Sequence, residues 1–89
     1  MNRRVVVTGI GLVSSLGIGT TKTWAGVTAG TSGITRVTRF DVSHFAAQIA
    51  GEVKGFDPLN YIEKKEVKKM DLFIQYAIAA SQFAMDDSK

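Results

Sequence analysis

MDLFIQYAIAASQFAM, residues 70–85, is the stretch that decides the fold class of this chain. At helical spacing its apolar residues form two stripes, one of Met70, Phe73, Ile74, Ala77, Ile78 and Met85 and one of Leu72, Tyr76, Ala79, Ala80 and Phe83. Between Leu72 and Met85 the polar interruptions are Gln75, Ser81 and Gln82. A helix that is apolar almost all round must be buried almost all round, so this one is predicted to have packed neighbours on every side.

The other residues are too few to enclose such a helix. Residues 5–8, VVVT, are a continuous β-branched run, which predicts a strand covered on both faces, as in a parallel or mixed sheet. Residues 48–53 alternate enough to predict a second strand, with Ile49, Gly51 and Val53 on one side. The buried helix therefore requires a sheet on one side and more helices on the other, supplied by sequence outside these 89 residues. We expect the opening segment of a larger α/β enzyme.

A first, shorter helix is predicted between its end signals. Thr20 or Thr21 suits the N-cap and Gly30 suits the C′ position, and one anchoring face is formed by Trp24, Val27 and Thr28. From residue 31 to residue 56 the pattern weakens, and residues 34–40 have no clean period. Such a long stretch with few hydrophobic residues is expected to lean on another part of the protein.

The long helix is predicted to begin well before residue 70. Asp57-Pro58 opens a turn of helix, where the missing N–H of proline costs nothing. Asn60 followed by Glu63 has the form of a capping box. From there a helical pattern runs to about Asp87, with a bend near Met70.

Composition excludes several classes of site. The chain has no cysteine, which excludes disulfides, thiolate metal sites and a cysteine nucleophile within these residues and is compatible with a reducing compartment. No apolar run approaches the ~18 residues that span a bilayer. The first residues imitate a signal peptide, but Thr8, Gly9 and Gly11 interrupt the apolar stretch, so a buried strand is the better interpretation.

Two weak motifs have simple structural explanations. A strand followed by Gly9-Ile10-Gly11 suggests a dinucleotide-binding turn, but Ser14 takes the third glycine position and no helix starts there. The alternative is a tight turn with close backbone packing. His44, the single histidine, lies beside Asp41 and Ser43, yet catalytic triads converge from separate elements, so a solvated loop is expected. No metal or cofactor site is predicted.

The lysine cluster, defined here as Lys64, Lys65, Lys68 and Lys69, is the segment with functional content. In a continuous helix these residues lie within about 140° of one another, with Lys64 at the edge of the arc. Three interpretations remain open from the residues alone: a solvated helix face, a docking surface for an acidic protein, or a nucleic-acid contact. No aromatic residue or arginine lies among the lysines, which argues against nucleic acid.

Over nearly its whole length the chain resembles the β-ketoacyl-ACP synthases, through Arg3-Arg4-Val5-Val6-Val7-Thr8-Gly9-Ile10-Gly11-Leu12-Val13-Ser14, Gly17, Trp24, Gly30, Ser32-Gly33-Ile34 and Phe40-Asp41. Lys68-Lys69-Met70-Asp71, with Phe73 and Tyr76, is most similar to the elongating synthase II group of bacterial fatty acid synthesis. Related polyketide ketosynthases, primer-range synthases and a non-enzymatic basic module remain the alternatives.

The resemblance implies an α/β fold that is the amino-terminal part of a thiolase-like five-layer αβαβα architecture. Residues 1–89 would then be an incomplete amino-terminal portion of the β-ketoacyl synthase N-terminal domain. The parent enzyme would be a cytoplasmic homodimer that performs decarboxylative Claisen condensation of acyl chains with malonyl-ACP, without a cofactor, membrane or nucleic acid. The family's catalytic cysteine and histidines match no residue here, so the segment alone is expected to be inactive.

One functional role carries over by resemblance. The positions of Lys65, Lys68 and Lys69 match part of the basic patch that receives the acidic recognition helix of acyl carrier protein, and Lys64 lies beside them. An arginine is common in relatives where Lys68 stands. Lysine keeps the charge but loses the bidentate fork of arginine, which predicts a looser contact.

Overall fold

The computed structural model describes residues 2–89, which form two compact units. The first unit combines residues 2–12 with residues 57–89, and the second consists of residues 13–56. The chain is mixed helix and strand, as the α/β expectation requires. Within residues 2–89, no helix combines the length and the hydropathy needed to cross a bilayer.

The second unit contains two small antiparallel sheets and one helix. Strands β1 (Val13–Ser14) and β2 (Gly17–Ile18) form a hairpin with Val13 opposite Ile18. Helix α1 (Thr20–Thr28) follows directly. Strands β3 (Ile34–Arg36) and β4 (Ile49–Gly51) then pair with Thr35 opposite Ala50. The predicted strand at residues 48–53 is therefore confirmed in its central part, whereas β3 lies in the stretch for which no period was found.

Helix α1 ends as its sequence predicts but begins and packs differently. Gly30 has φ 71° and donates to Val27 O at 3.2 Å, while Thr31 N donates to Gly26 O at 2.9 Å, a Schellman motif that confirms Gly30 at C′. The N-cap is Gly19, not Thr20 or Thr21.

The anchoring face predicted for α1 is wrong. Trp24 is 63% exposed and Val27 is exposed too, whereas Thr23 is buried. The Thr23 hydroxyl lies 2.8 Å from Ser14 Oγ and donates to Gly17 O at 3.3 Å. Hydrogen bonds to the neighbouring hairpin thus fix α1, and the apolar residues are left without cover among the described residues.

Glu52 is the buried carboxylate of the second unit, with 7% of its surface exposed. Its Oε1 accepts a hydrogen bond from Thr38 Oγ1 at 2.9 Å and another from Thr38 N at 3.3 Å. The Thr38 hydroxyl lowers the pKa of Glu52 below its ordinary value; burial acts in the opposite direction but does not outweigh it.

This lowered pKa predicts a loss of stability in acid. Because the folded-state pKa lies below the unfolded value, the ionised carboxylate stabilises the fold above the unfolded pKa, and that contribution disappears as pH falls through the folded pKa. At neutral pH Glu52→Gln is expected to lower Tm by roughly 2–4 °C. Thermal unfolding followed between pH 7 and pH 3 should show the difference from the parent protein shrinking towards zero. A constant difference would assign the effect to packing instead.

The first unit is organised by helix α3 (Leu72–Ser88) and the Gly9-Ile10-Gly11 segment that lies against it. A Cβ on Gly11 would overlap Ala80 O and come within 2.5 Å of Ala84 N, so glycine allows direct contact between the two backbones. Ile10 N donates to Asp87 Oδ2 at 3.0 Å. The expected close backbone packing at these glycines is confirmed, but the expected tight turn is not, because residues 9–12 form no turn.

The strand predicted at residues 5–8 is absent. Val5, Val6 and Val7 are exposed, with Val5 at 94%, and none of the strands described in residues 2–89 pairs with them. A β-strand forms only when a neighbouring strand completes its ladder of hydrogen bonds. The β-branched run shows a preference for extended backbone but does not supply the neighbouring strand.

The predicted long helix is interrupted between Val67 and Leu72. Pro58–Asn60 forms a 3₁₀ turn whose N-cap is Asp57, and helix α2 (Lys64–Val67) follows. Asp71, the N-cap of α3, is extended at φ −70° and ψ 161°, which no continuous helix allows. The helical opening at Asp57-Pro58 is confirmed. The capping box is wrong, because the N-cap of α2 is Glu63 and makes no side-chain cap bond.

Helix α3 is covered on one side within its unit. Ala79 is fully buried, and the rings of Tyr61 and Phe83 meet edge to face with centroids 5.4 Å apart. By contrast, Phe73 is 69% exposed and Met85 is 71% exposed. The sequence predicts that α3 is buried on every side. Within residues 2–89 only one face of α3 is covered.

Candidate functional site

The lysine cluster occupies α2 and the turn that follows it. Lys64 and Lys65 lie in α2; Lys68 is its C-cap, with φ −66° and ψ −18°, and Lys69 lies in the turn before Asp71. All four side chains are exposed. The uniform arc expected for one continuous helix is therefore replaced by a helix-and-turn arrangement.

Three of the four lysines line one open concavity. Lys64, Lys65 and Lys68 surround a space of about 450 Å³. Lys64, expected at the edge of the cluster, is thus one of its lining residues. The structure therefore places these three lysines around one open space at the surface.

Two lysines are paired with carboxylates of the same segment. Lys65 Nζ lies 3.8 Å from Glu63 Oε2, and Lys69 Nζ lies 3.7 Å from Glu66 Oε1. Among residues 2–89, no carboxylate lies within 4.0 Å of Lys64 or Lys68. Exposed pairs of this length contribute ~0–1 kcal/mol, so a partner can displace them at little cost.

The turn carrying Lys68 and Lys69 is held by hydrogen bonds on both sides. Lys69 N donates to Glu66 O at 3.0 Å and Met70 N donates to Val67 O at 3.2 Å, which tightens the end of α2. From α3, Gln75 Nε2 donates to Met70 O at 3.1 Å and to Val67 O at 3.4 Å. On sequence alone Gln75 is a polar interruption of the apolar stretch, and the signal that could have found it is an amide with apolar residues on both sides.

The other candidate motifs do not form sites in this structure. The C-terminal half of α3 packs on Gly9 and Gly11, and the element directly after these glycines is strand β1, not a helix whose N-terminus could hold a phosphate. His44 is exposed in a loop. Residues 2–89 contain no group of three or more His, Asp or Glu side chains that could hold a metal ion.

The chain matches one family of known proteins over its whole described length. The family model for the N-terminal domain of β-ketoacyl synthases matches residues 2–89. The chain belongs to the β-ketoacyl synthase family. Members similar to it include 3-oxoacyl-[acyl-carrier-protein] synthase 2 of Vibrio cholerae serotype O1, 50% identical over 97% of this chain and 21% of the relative's length. The same-named protein of Coxiella burnetii is 45% identical, with the same shares covered.

Structural comparison points to the same family. The ishigamide ketosynthase/chain length factor matches with a TM-score of 0.88 and 42% identity, over 99% of this chain and 22% of that one. The β-ketoacyl synthase segment described here therefore spans about a fifth of the length of the relatives it matches.

Proposed function

We propose that this chain is the amino-terminal segment of a 3-oxoacyl-ACP synthase and that its lysine cluster docks acyl carrier protein. The observation that carries the proposal is the exposed concavity lined by Lys64, Lys65 and Lys68, with Lys69 beside it. It occurs in a segment 50% identical to a synthase that is named for acyl carrier protein. Residues 1–89 would be an incomplete portion of the N-terminal domain.

The whole enzyme would condense an acyl thioester with malonyl-ACP by decarboxylative Claisen chemistry. A cysteine thiolate would carry the acyl group, and histidines would stabilise the enolate formed on decarboxylation. This segment has no cysteine, and His44 lies in an exposed loop, so it would contribute binding rather than bond-making. The proposal includes a thiolase-like five-layer fold, a homodimer and a cytoplasmic location, all carried by the resemblance to synthase II.

The electrostatics of the cluster suit an acidic protein partner. Lys64 and Lys68 offer charges without an internal carboxylate, while Glu63 and Glu66 keep Lys65 and Lys69 close to the surface. A concentrated positive patch raises the rate of encounter with an acidic partner and favours one orientation of docking. The nucleic-acid alternative lacks the interleaved aromatic residues that stack on bases.

Reversing two charges of the cluster tests the proposal. In the full-length protein, Lys65→Glu with Lys69→Glu is expected to raise KM for acyl-ACP about tenfold, because two attractive contacts become repulsive. Turnover with a small acyl thioester and a small malonyl thioester, a pair that brings no carrier protein, is the internal reference and should change much less. Steady-state kinetics with both substrate types measures the difference.

A matched variant controls for net charge. Lys22→Glu with Lys54→Glu makes the same change in charge at two lysines outside the cluster, and it should leave the ratio of the two KM values near that of the parent protein. Equal loss on carrier-bound and small substrates in the cluster variant would indicate misfolding and contradict docking. Salt-sensitive binding to duplex DNA, with none to carrier protein, would favour the nucleic-acid alternative.

A ketosynthase of a related pathway is the second candidate. The likeness to the ishigamide ketosynthase/chain length factor favours it, at 42% identity. Offering the full-length protein the carrier protein of fatty acid synthesis and a pathway-specific carrier protein in parallel separates the two. Preference for the first supports a synthase of fatty acid elongation.

A further inference from the structure

Gln75 is an amide placed where the surrounding helix is apolar. It is 6% exposed, and its Nε2 reaches two backbone carbonyls, Met70 O at 3.1 Å and Val67 O at 3.4 Å. Val67 is the last residue of α2, and Met70 lies in the turn that connects α2 to α3. The buried amide therefore links α3 to the end of α2 and to the turn between the two helices, in addition to the backbone connection.

Helix α2 and the turn after it are not stable on their own. Helix α2 has four residues, about one turn, and a helix that short has no independent stability in water. Its last carbonyls lack helical partners and require hydrogen bonds from elsewhere. Helix α3 has 17 residues, and its fully buried Ala79 lies one turn beyond Gln75. Of the two helices, α3 is therefore the more stable one.

We propose that Gln75 is a positioning residue for carrier-protein docking, because it fixes the turn that presents Lys68 and Lys69 at a set place relative to α3. The inference rests on the proposed docking function of the lysine cluster. Gln75 itself contacts no partner, being buried beneath the turn. Gln75 keeps the backbone that carries Lys68 and Lys69 in one conformation, so that docking does not have to order the turn first.

Removing the amide while keeping its volume tests this role. Gln75→Met in the full-length protein is expected to raise KM for acyl-ACP about three- to tenfold. The value of kcat at saturating concentrations of both carrier-bound substrates, and the kinetics with small acyl and malonyl thioesters in place of both, should stay within about twofold of the parent protein, since neither depends on docking geometry.

Gln82→Met is the matched control. Gln82 lies on the same helix, and its Nε2 donates to Asp86 Oδ1 at 3.0 Å on the exposed surface, remote in sequence from the turn. The same chemical change there is expected to leave KM for acyl-ACP unchanged. An equal rise in KM in both variants would overturn the proposal, because it would reflect altered stability of α3 rather than placement of the lysines.

Combining the substitutions separates this inference from the docking proposal beneath it. In a background of Lys68→Ala with Lys69→Ala, Gln75→Met should cause no further rise in KM for acyl-ACP, since the side chains it positions are gone. If the lysine variant raises KM and Gln75→Met does not, the positioning role alone is wrong. If the lysine variant leaves KM unchanged, the docking proposal fails and the role of Gln75 fails with it. Fully additive effects would also overturn the inference.

Discussion

Replacing Gly11 by alanine is expected to lower the free energy of unfolding by about 3 kcal/mol or more. The added Cβ would overlap Ala80 O and lie 2.5 Å from Ala84 N and 2.8 Å from Phe83 Cβ. Two of these atoms belong to the backbone of α3, which cannot rotate out of the way. The segment must therefore move off the helix, and the bond from Ile10 N to Asp87 Oδ2 is lost with it.

Chemical denaturation followed by circular dichroism measures this loss, with soluble yield as a second readout. Gly51→Ala is the matched control, because a Cβ there would meet the side-chain atoms Ile34 Cδ1 and Ser15 Oγ, each at 3.3 Å. Flexible side chains can yield by that amount, so a change below about 1 kcal/mol is expected. Comparable losses in the two variants would show that α3 does not depend on the glycine contact.

Features with a strong local cause were predictable from sequence. Gly30 at the end of α1 and Asp57-Pro58 at the 3₁₀ turn follow from backbone conformation, which one or two residues determine. The exposed lysines also follow, because four ammonium groups within six residues must reach solvent or a partner.

Features that depend on a distant partner were not predictable in the same way. The strand at residues 5–8 needs neighbouring strands, and residues 2–89 supply none beside it. The bend predicted near Met70 lies where the structure interrupts the helix, between Val67 and Leu72, but the sequence did not predict that α2 and α3 are separate helices or that Gln75 bonds to the turn between them. Periodicity indicates which residues share a face of a helix; it does not indicate which backbone carbonyls a buried amide will bond to.

Association between the full-length protein and acyl carrier protein is expected to slow about a hundredfold when ionic strength rises from about 10 mM to about 1 M. Over that range the Debye length falls from ~30 Å to ~3 Å, which removes the long-range attraction between the lysine cluster and an acidic partner. Stopped-flow fluorescence with labelled carrier protein measures the rate. The small acyl thioesters, which carry no extended acidic surface, provide the comparison for general salt effects on the enzyme.

The ion pairs of Lys65 and Lys69 with Glu63 and Glu66 should make these two lysines contribute less to slow dissociation than Lys64 and Lys68 do. Lys64→Ala with Lys68→Ala removes the same net charge as Lys65→Ala with Lys69→Ala, so both variants should flatten the salt dependence of the association rate equally. Dissociation should differ, because Glu63 and Glu66 compete with the partner for Lys65 and Lys69 and lie within 4.0 Å of no other lysine of the cluster. The Lys64 and Lys68 variant should therefore dissociate faster. Equal dissociation rates would mean that the intramolecular ion pairs do not persist in solution. An association rate that does not depend on salt in the parent protein would contradict electrostatic docking altogether.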